Sequence, residues 1–172
     1  MSIWGKLLAG TFGFALGGPI GALLGVIAGH SVDKIRKQSS NFDGKIQSPQ
    51  EIITIGIIIL AAKLAKADGQ VTTDEVNAFK EKFKIPPDFQ NDVGKIFNEA
   101  KKNSEDYHKY AQQLGMIFKG QPQVLEQIIN LLFFIAEADG EISKPEINFI
   151  NGCSRYFGLN KTQYESIQSL WL

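Results

Sequence analysis

An all-α protein with an apolar amino-terminal helix is predicted by three features of the sequence. Apolar residues recur at helical spacing along most of the chain, no segment alternates apolar and polar residues as a strand would, and one helix-turn-helix signature occurs twice. The 172 residues suffice for one domain of ordinary size with an appendage, able to bury a core. Eighteen basic residues balance 18 acidic ones, so no net field draws the molecule towards nucleic acid or an acidic substrate. Cys153 is the single cysteine, which excludes an internal disulfide and a thiolate metal cage.

The first element, residues 1–37, reads as a glycine-rich transmembrane anchor with a basic flank. No charged side chain interrupts the 23 residues from Leu7 to Gly29, and Gly13, Gly17, Gly21, Gly25 and Gly29 fall at every fourth position. A helix of that length spans about 35 Å, enough to cross a hydrocarbon core of roughly 30 Å. In water each interior glycine would cost about 0.8–1 kcal/mol of helix propensity, and Pro19 about 3 more. Lipid removes the alternative of hydrating the backbone, and small residues four apart let two helices approach closely, so the glycine row predicts a packing face that pairs two protomers. Pro19 is expected to bend this helix near its centre. A hairpin turning at Gly17-Gly18-Pro19 and a cleaved secretion signal are the alternatives left open. Lys34, Arg36 and Lys37 follow the apolar stretch while Lys6 precedes it, which predicts a cytoplasmic carboxyl side and contact of that basic flank with the membrane surface.

Residues 38–47, "QSSNFDGKIQ", read as a linker. The helical domain, 48–172, opens on Ser48, Pro49 and Glu51 at N-cap, first-turn and capping-box positions. The runs "IITIGIIILAAKLA" and "VLEQIINLLFFIAEA" are apolar on nearly every face, and Lys63 keeps the first too short to be a second span. Both predict central helices of a bundle. Each continues into a corner, "AKADGQVTTDEV" at 65–76 and "AEADGEISKPEI" at 136–147, repeated at an offset of 71 residues. Gly69 and Gly140 predict left-handed helix stops, Val71 and Ile142 tuck the turn against the core, and Thr72 and Ser143 cap the next helix with Glu75 and Glu146 completing the boxes. Further helices are predicted at about 86–102, 106–118 and 160–171, the last opened by Asn160 with Gln163 three residues on.

The doubled acidic corner is the sharpest candidate for chemistry. An EF-hand counted from Asp68 or from Asp139 places Phe79 or Ile150 at the twelfth position, where a carboxylate is required, so neither is one. If the two corners face each other, Asp68, Glu75, Asp139 and Glu146 together would suit an oxygen-preferring divalent cation, although capping and helix-dipole roles account for the same residues. No nucleophile elbow, phosphate loop or zinc motif occurs, and the two histidines, His30 and His108, read as a membrane-edge residue and a surface residue. Phe79, Phe83, Phe89, Phe97, Phe133 and Phe134 recur at helical spacing and predict core. Lysines at 80–84 and 101–102 alternate with acids, which predicts solvated helix faces and no nucleic-acid partner. No catalytic residue and no enzymatic activity is expected.

The stretch "WGKLLAG" (4–10), the glycine row, "IAGHSVDKIRK" (27–37) and the doubled A-D-G corner resemble the DjlA family of membrane-anchored DnaJ-like co-chaperones. The soluble part is similar to the TerB-like helical domain of that family, and "ADGEISKPEINFINGCSRYFGLNKTQYESI" (138–167) carries the likeness to its second corner and following helices. The resemblance implies a single-pass protein of the bacterial inner membrane with its bulk in the cytoplasm, and a span that promotes homodimers. TerB domains imply cation binding through acidic residues, which would map onto Asp68, Glu75, Asp139 and Glu146. DjlA also carries a J-domain whose His-Pro-Asp loop stimulates DnaK. This sequence has no His-Pro-Asp and stops at Leu172, so that activity is not expected to carry over.

The function expected from these observations is a membrane-tethered TerB-like interaction scaffold, dimerising through its glycine row and engaging a cytoplasmic protein partner in envelope stress or chaperone-linked signalling. A regulatory divalent-cation domain, a remnant that engages a separately encoded J-domain protein, and a secreted helical protein are the rival expectations.

Overall fold

The computed structural model describes residues 17–35, 49–69, 73–85, 87 and 90–172. Among them are eight α-helices and no strand: α1 (Gly18–Ile35), α2 (Pro49–Ala67), α3 (Thr73–Phe83), α4 (Gln90–Ala100), α5 (Tyr107–Ile117), α6 (Pro122–Ala136), α7 (Lys144–Phe157) and α8 (Lys161–Gln168). The linker 38–47, Ser48 and the Val71–Thr72 turn lie outside the described residues, as does the side chain of Glu75.

A helix that is apolar all round has to be enclosed, and α2 is. It packs against α4, α5, α6 and α7, burying Ile55, the run from Ile57 to Ala62, Leu64 and Ala65. The second apolar run forms α6, which buries Leu125, Ile128, Ile129, Leu132, Phe133, Ile135 and Ala136 and contacts α2, α3, α7 and α8. Phe79 and Phe97 meet across α3 and α4 with ring centroids 6.3 Å apart. Trp171, beyond α8, stacks on Phe133 at 6.3 Å and donates from Nε1 to Asn130 Oδ1 at 2.8 Å. These rings are core, as their spacing predicts; Phe89 lies outside the described residues.

The repeated corners are present with one difference. Gly69 and Gly140 stand at φ +88° and +93°, the left-handed conformation that ends a helix at least cost in glycine. After the first corner α3 starts at Thr73; after the second α7 starts at Lys144, the equivalent position. Between α6 and Gly140, however, Glu137–Asp139 tighten into a 3₁₀ turn, which packs on α3. Ser143 caps α7 as predicted. Its Oγ accepts from Glu146 N, and Glu146 Oε2 accepts from Ser143 N at 2.8 Å. Asn160 and Gln163 form the same reciprocal box at α8. Replacing Ser143 with alanine is expected to lower stability by about 1 kcal/mol, measured as a shift in urea midpoint at unchanged slope.

The apolar amino-terminal segment is described from Gly17 onward, and within it the place of Pro19 is corrected. Gly17 and Gly18 both hold positive φ, +65° and +61°, and α1 begins there. Pro19 therefore sits in the first turn, where its missing N–H costs nothing, rather than at a mid-helix bend. No helix among the described residues is long and apolar enough to cross a membrane. In this structure α1 lies against α4 and α5, with Ile20 fully buried and Leu23 and Leu24 nearly so, each worth about 2 kcal/mol of burial.

Candidate functional site

The four carboxylates proposed from the corners divide by environment. Glu146 is buried and committed to the α7 cap, with Oε2 also 3.0 Å from Ser143 Oγ. Asp139 is exposed and accepts from Glu141 N at 3.2 Å, closing the turn, while Asp68 is half-buried. The Glu75 side chain lies outside the described residues, and among the described residues no three metal-ligating side chains converge.

The glycine row and basic flank are met only in part. Gly13, Arg36 and Lys37 lie outside the described residues; Gly29 and Lys34 belong to α1, but their surroundings lie outside them too. Gly21 is buried within the chain's own bundle, and a Cβ at Gly25 would meet open space. The contact that seats α1 comes from α5. Gln113 Oε1 accepts from Ile20 N at 2.8 Å, and Gln113 Nε2 donates to Gly17 O at 3.0 Å. A first-turn amide without an upstream carbonyl needs an outside acceptor, and one side chain supplies it from 93 residues away.

A second node is ionic. Lys63 is 2% exposed, and its three N–H donors find three acceptors: Ala100 O at 3.0 Å, Asn103 O at 2.6 Å and Asp106 Oδ1 at 2.5 Å. The ammonium also lies 4.7 Å from the centroid of Tyr110. It therefore pins the carbonyl end of α4 and the acid preceding α5 onto α2. Burial, then the charges of Asp106 and Glu99, push the Tyr110 hydroxyl up to about 12. Burial likewise raises the Cys153 thiol far enough to keep it protonated and inert.

An open feature among the described residues is a groove of about 700 Å³ where α5 and α7 end, lined by Gly115, Met116, Lys119, Leu125, Tyr156 and Phe157. Met116 is 78% exposed, far more than a thioether in a packed fold ordinarily is, and Tyr156 is exposed beside it. The Tyr156 ring is held by Tyr107 and His108, centroids 6.0 and 5.7 Å away. His108 is thus half-buried, with Nδ1 3.1 Å from Glu105 O, rather than a plain surface residue. Gln163 borders this groove and a smaller hollow of about 360 Å³ lined by Glu126, Ser166 and the exposed Leu170. A flexible thioether beside a braced aromatic is suited to gripping an apolar side chain of another protein.

Neither Gln113 nor the groove is visible in the sequence, since helical spacing says nothing about which remote helix end a glutamine reaches. Lys63 carried a signal: it is the lone charge inside an apolar run, and such a charge has to be paired.

Comparison with known proteins follows this division of the chain. Residues 54–169 match the family described as tellurite resistance protein TerB, and residues 1–47 match the co-chaperone DjlA transmembrane domain. The chain is similar to the co-chaperone protein DjlA of Photobacterium profundum, at 26% identity over 95% of the chain and 63% of that relative. It is similar to DjlA of Legionella pneumophila at 25% over 90% and 55%, and to DjlA of Vibrio cholerae at 27% over 96% and 62%. It thus spans less than two thirds of the length of these relatives. No solved structure matches it.

Proposed function

Since the chain belongs to the tellurite resistance protein TerB family and carries ahead of that domain a segment similar to the DjlA transmembrane domain, we propose that it is a membrane-tethered interaction module recruiting a protein partner at the inner face of a bacterial membrane. The observation that carries this reading is the groove with Met116 and Tyr156 exposed at its edge. The flank of Lys34, Arg36 and Lys37 supports a cytoplasmic bundle, by attraction to anionic headgroups and by the bias of basic residues to that side. In the lipid-inserted state the glycine row pairs two protomers, and the partner belongs to the chaperone or envelope-stress machinery that the DjlA relatives suggest. The bundle acts by binding and not by catalysis.

A photo-crosslinking residue at position 116, introduced in cells and activated in intact membranes, is expected to give a discrete adduct that the same probe at Lys102, beyond the amino-terminal end of α5, does not. Met116→Glu should reduce recovery of that partner at least about tenfold while leaving stability within about 0.5 kcal/mol, as for an ordinary surface site. Equal adducts at both positions, or recovery unchanged by Met116→Glu, would remove the groove from the account. A chain found wholly outside the membrane fraction would remove the tether.

A further inference from the structure

We propose that α1 is a stowable anchor, held on α4 and α5 by Gln113 and released from them into a lipid bilayer. The proposal rests on the membrane-tethering reading above and adds a conformational switch to it. Ile20, Leu23 and Leu24 cannot face lipid while they are buried in the bundle, so docking and insertion exclude each other. Nor can the docked helix cross as it stands. Its apolar part, Gly18–Gly29, is 12 residues, which at the helical rise covers about 18 Å of a core of roughly 30 Å.

A crossing helix must extend back towards Leu7, and that requires Gly17 and Gly18 to leave φ +65° and +61° for helical values. In such a continuous helix the carbonyl of Leu16 would accept from Ile20 N. In the docked state Gln113 Oε1 takes that place, while Gln113 Nε2 holds Gly17 O. Gln113 thus takes the place of an upstream helical acceptor for Ile20 N, and its two bonds belong to the stowed state alone. The Gly17-Gly18 pair is the hinge, because glycine occupies left-handed and helical conformations with little difference in cost.

The test uses the full chain with vesicles of phosphatidylethanolamine and phosphatidylglycerol at limiting lipid, scored by flotation. Gln113→Leu removes both latch bonds and is expected to raise the bound-to-free ratio about tenfold. Gly17→Ala, which penalises the hinge conformation and favours the helix, should act in the same direction. Val26→Lys alters a residue exposed on the docked helix and set among lipid tails in the released one, so it should lower the ratio, by about a hundredfold. Amide hydrogen exchange checks folding: in Gln113→Leu the Ile20–Leu24 amides should exchange faster while those of α2 keep their protection. If wild type, Gln113→Leu and Gly17→Ala float equally and Val26→Lys does not, the latch is overturned and the tether stands. If no form of the chain floats, both fall.

Discussion

Lys63→Met is expected to destabilise the bundle by about 3 kcal/mol, near the low end for breaking a buried ion pair because Asp106 keeps partial contact with water. Methionine fills much the same volume, so the loss is electrostatic. Ala100 O and Asn103 O lose a charged donor, and Asp106 loses its counter-ion. In urea the midpoint should fall with the slope unchanged. Asp106→Asn in the Lys63→Met background should add far less than it costs alone, because the pair acts as a unit. A midpoint shift equivalent to under about 0.5 kcal/mol would show that the node contributes no more than a surface site.

Gly115→Val is expected to cost about 3 kcal/mol, from steric crowding with no room to relax. A Cβ at this position would lie 2.9 Å from Tyr156 O and 3.0 Å from Phe157 Cα, both backbone atoms of α7. Gly152 on the facing helix is hemmed in likewise by the Tyr107 ring. The close crossing of α5 and α7 therefore depends on Gly115, which also lines the groove. Gly94 provides the opposite case. It lies within α4 with open space where a Cβ would go, so Gly94→Ala should stabilise by up to about 1 kcal/mol through helix propensity. Thermal unfolding of the two variants should thus move in opposite directions. Equal shifts would mean that glycine in these helices matters only through propensity.

The helices, their caps and the doubled corner were legible because each is a local matter. Capping boxes at Ser143 and Asn160 involve residues three apart, the left-handed stops at Gly69 and Gly140 are single-residue conformations, and an all-apolar helix such as α2 has only one stable place. The same local reading misplaced one detail at the amino terminus, the bend at Pro19. Pro19 stands near the middle of the run of 23 uncharged residues, yet spacing does not register that Gly17 and Gly18 take positive φ while the remote Gln113 donates to Gly17 O, so that α1 starts beside it.

By itself, then, the sequence determined the helical class, the two corners and the central helices, all of which follow from residue type and short-range spacing. Only the tertiary structure decided that α1 docks through Gln113, that Lys63 joins three helices, and that Gly115 lets α5 and α7 approach closely beside an exposed Met116. The division has a physical cause. Caps and stops draw their free energy from neighbours a few residues away, whereas a buried donor, a close helix crossing or a groove depends on groups tens of residues apart that meet only after the chain has folded.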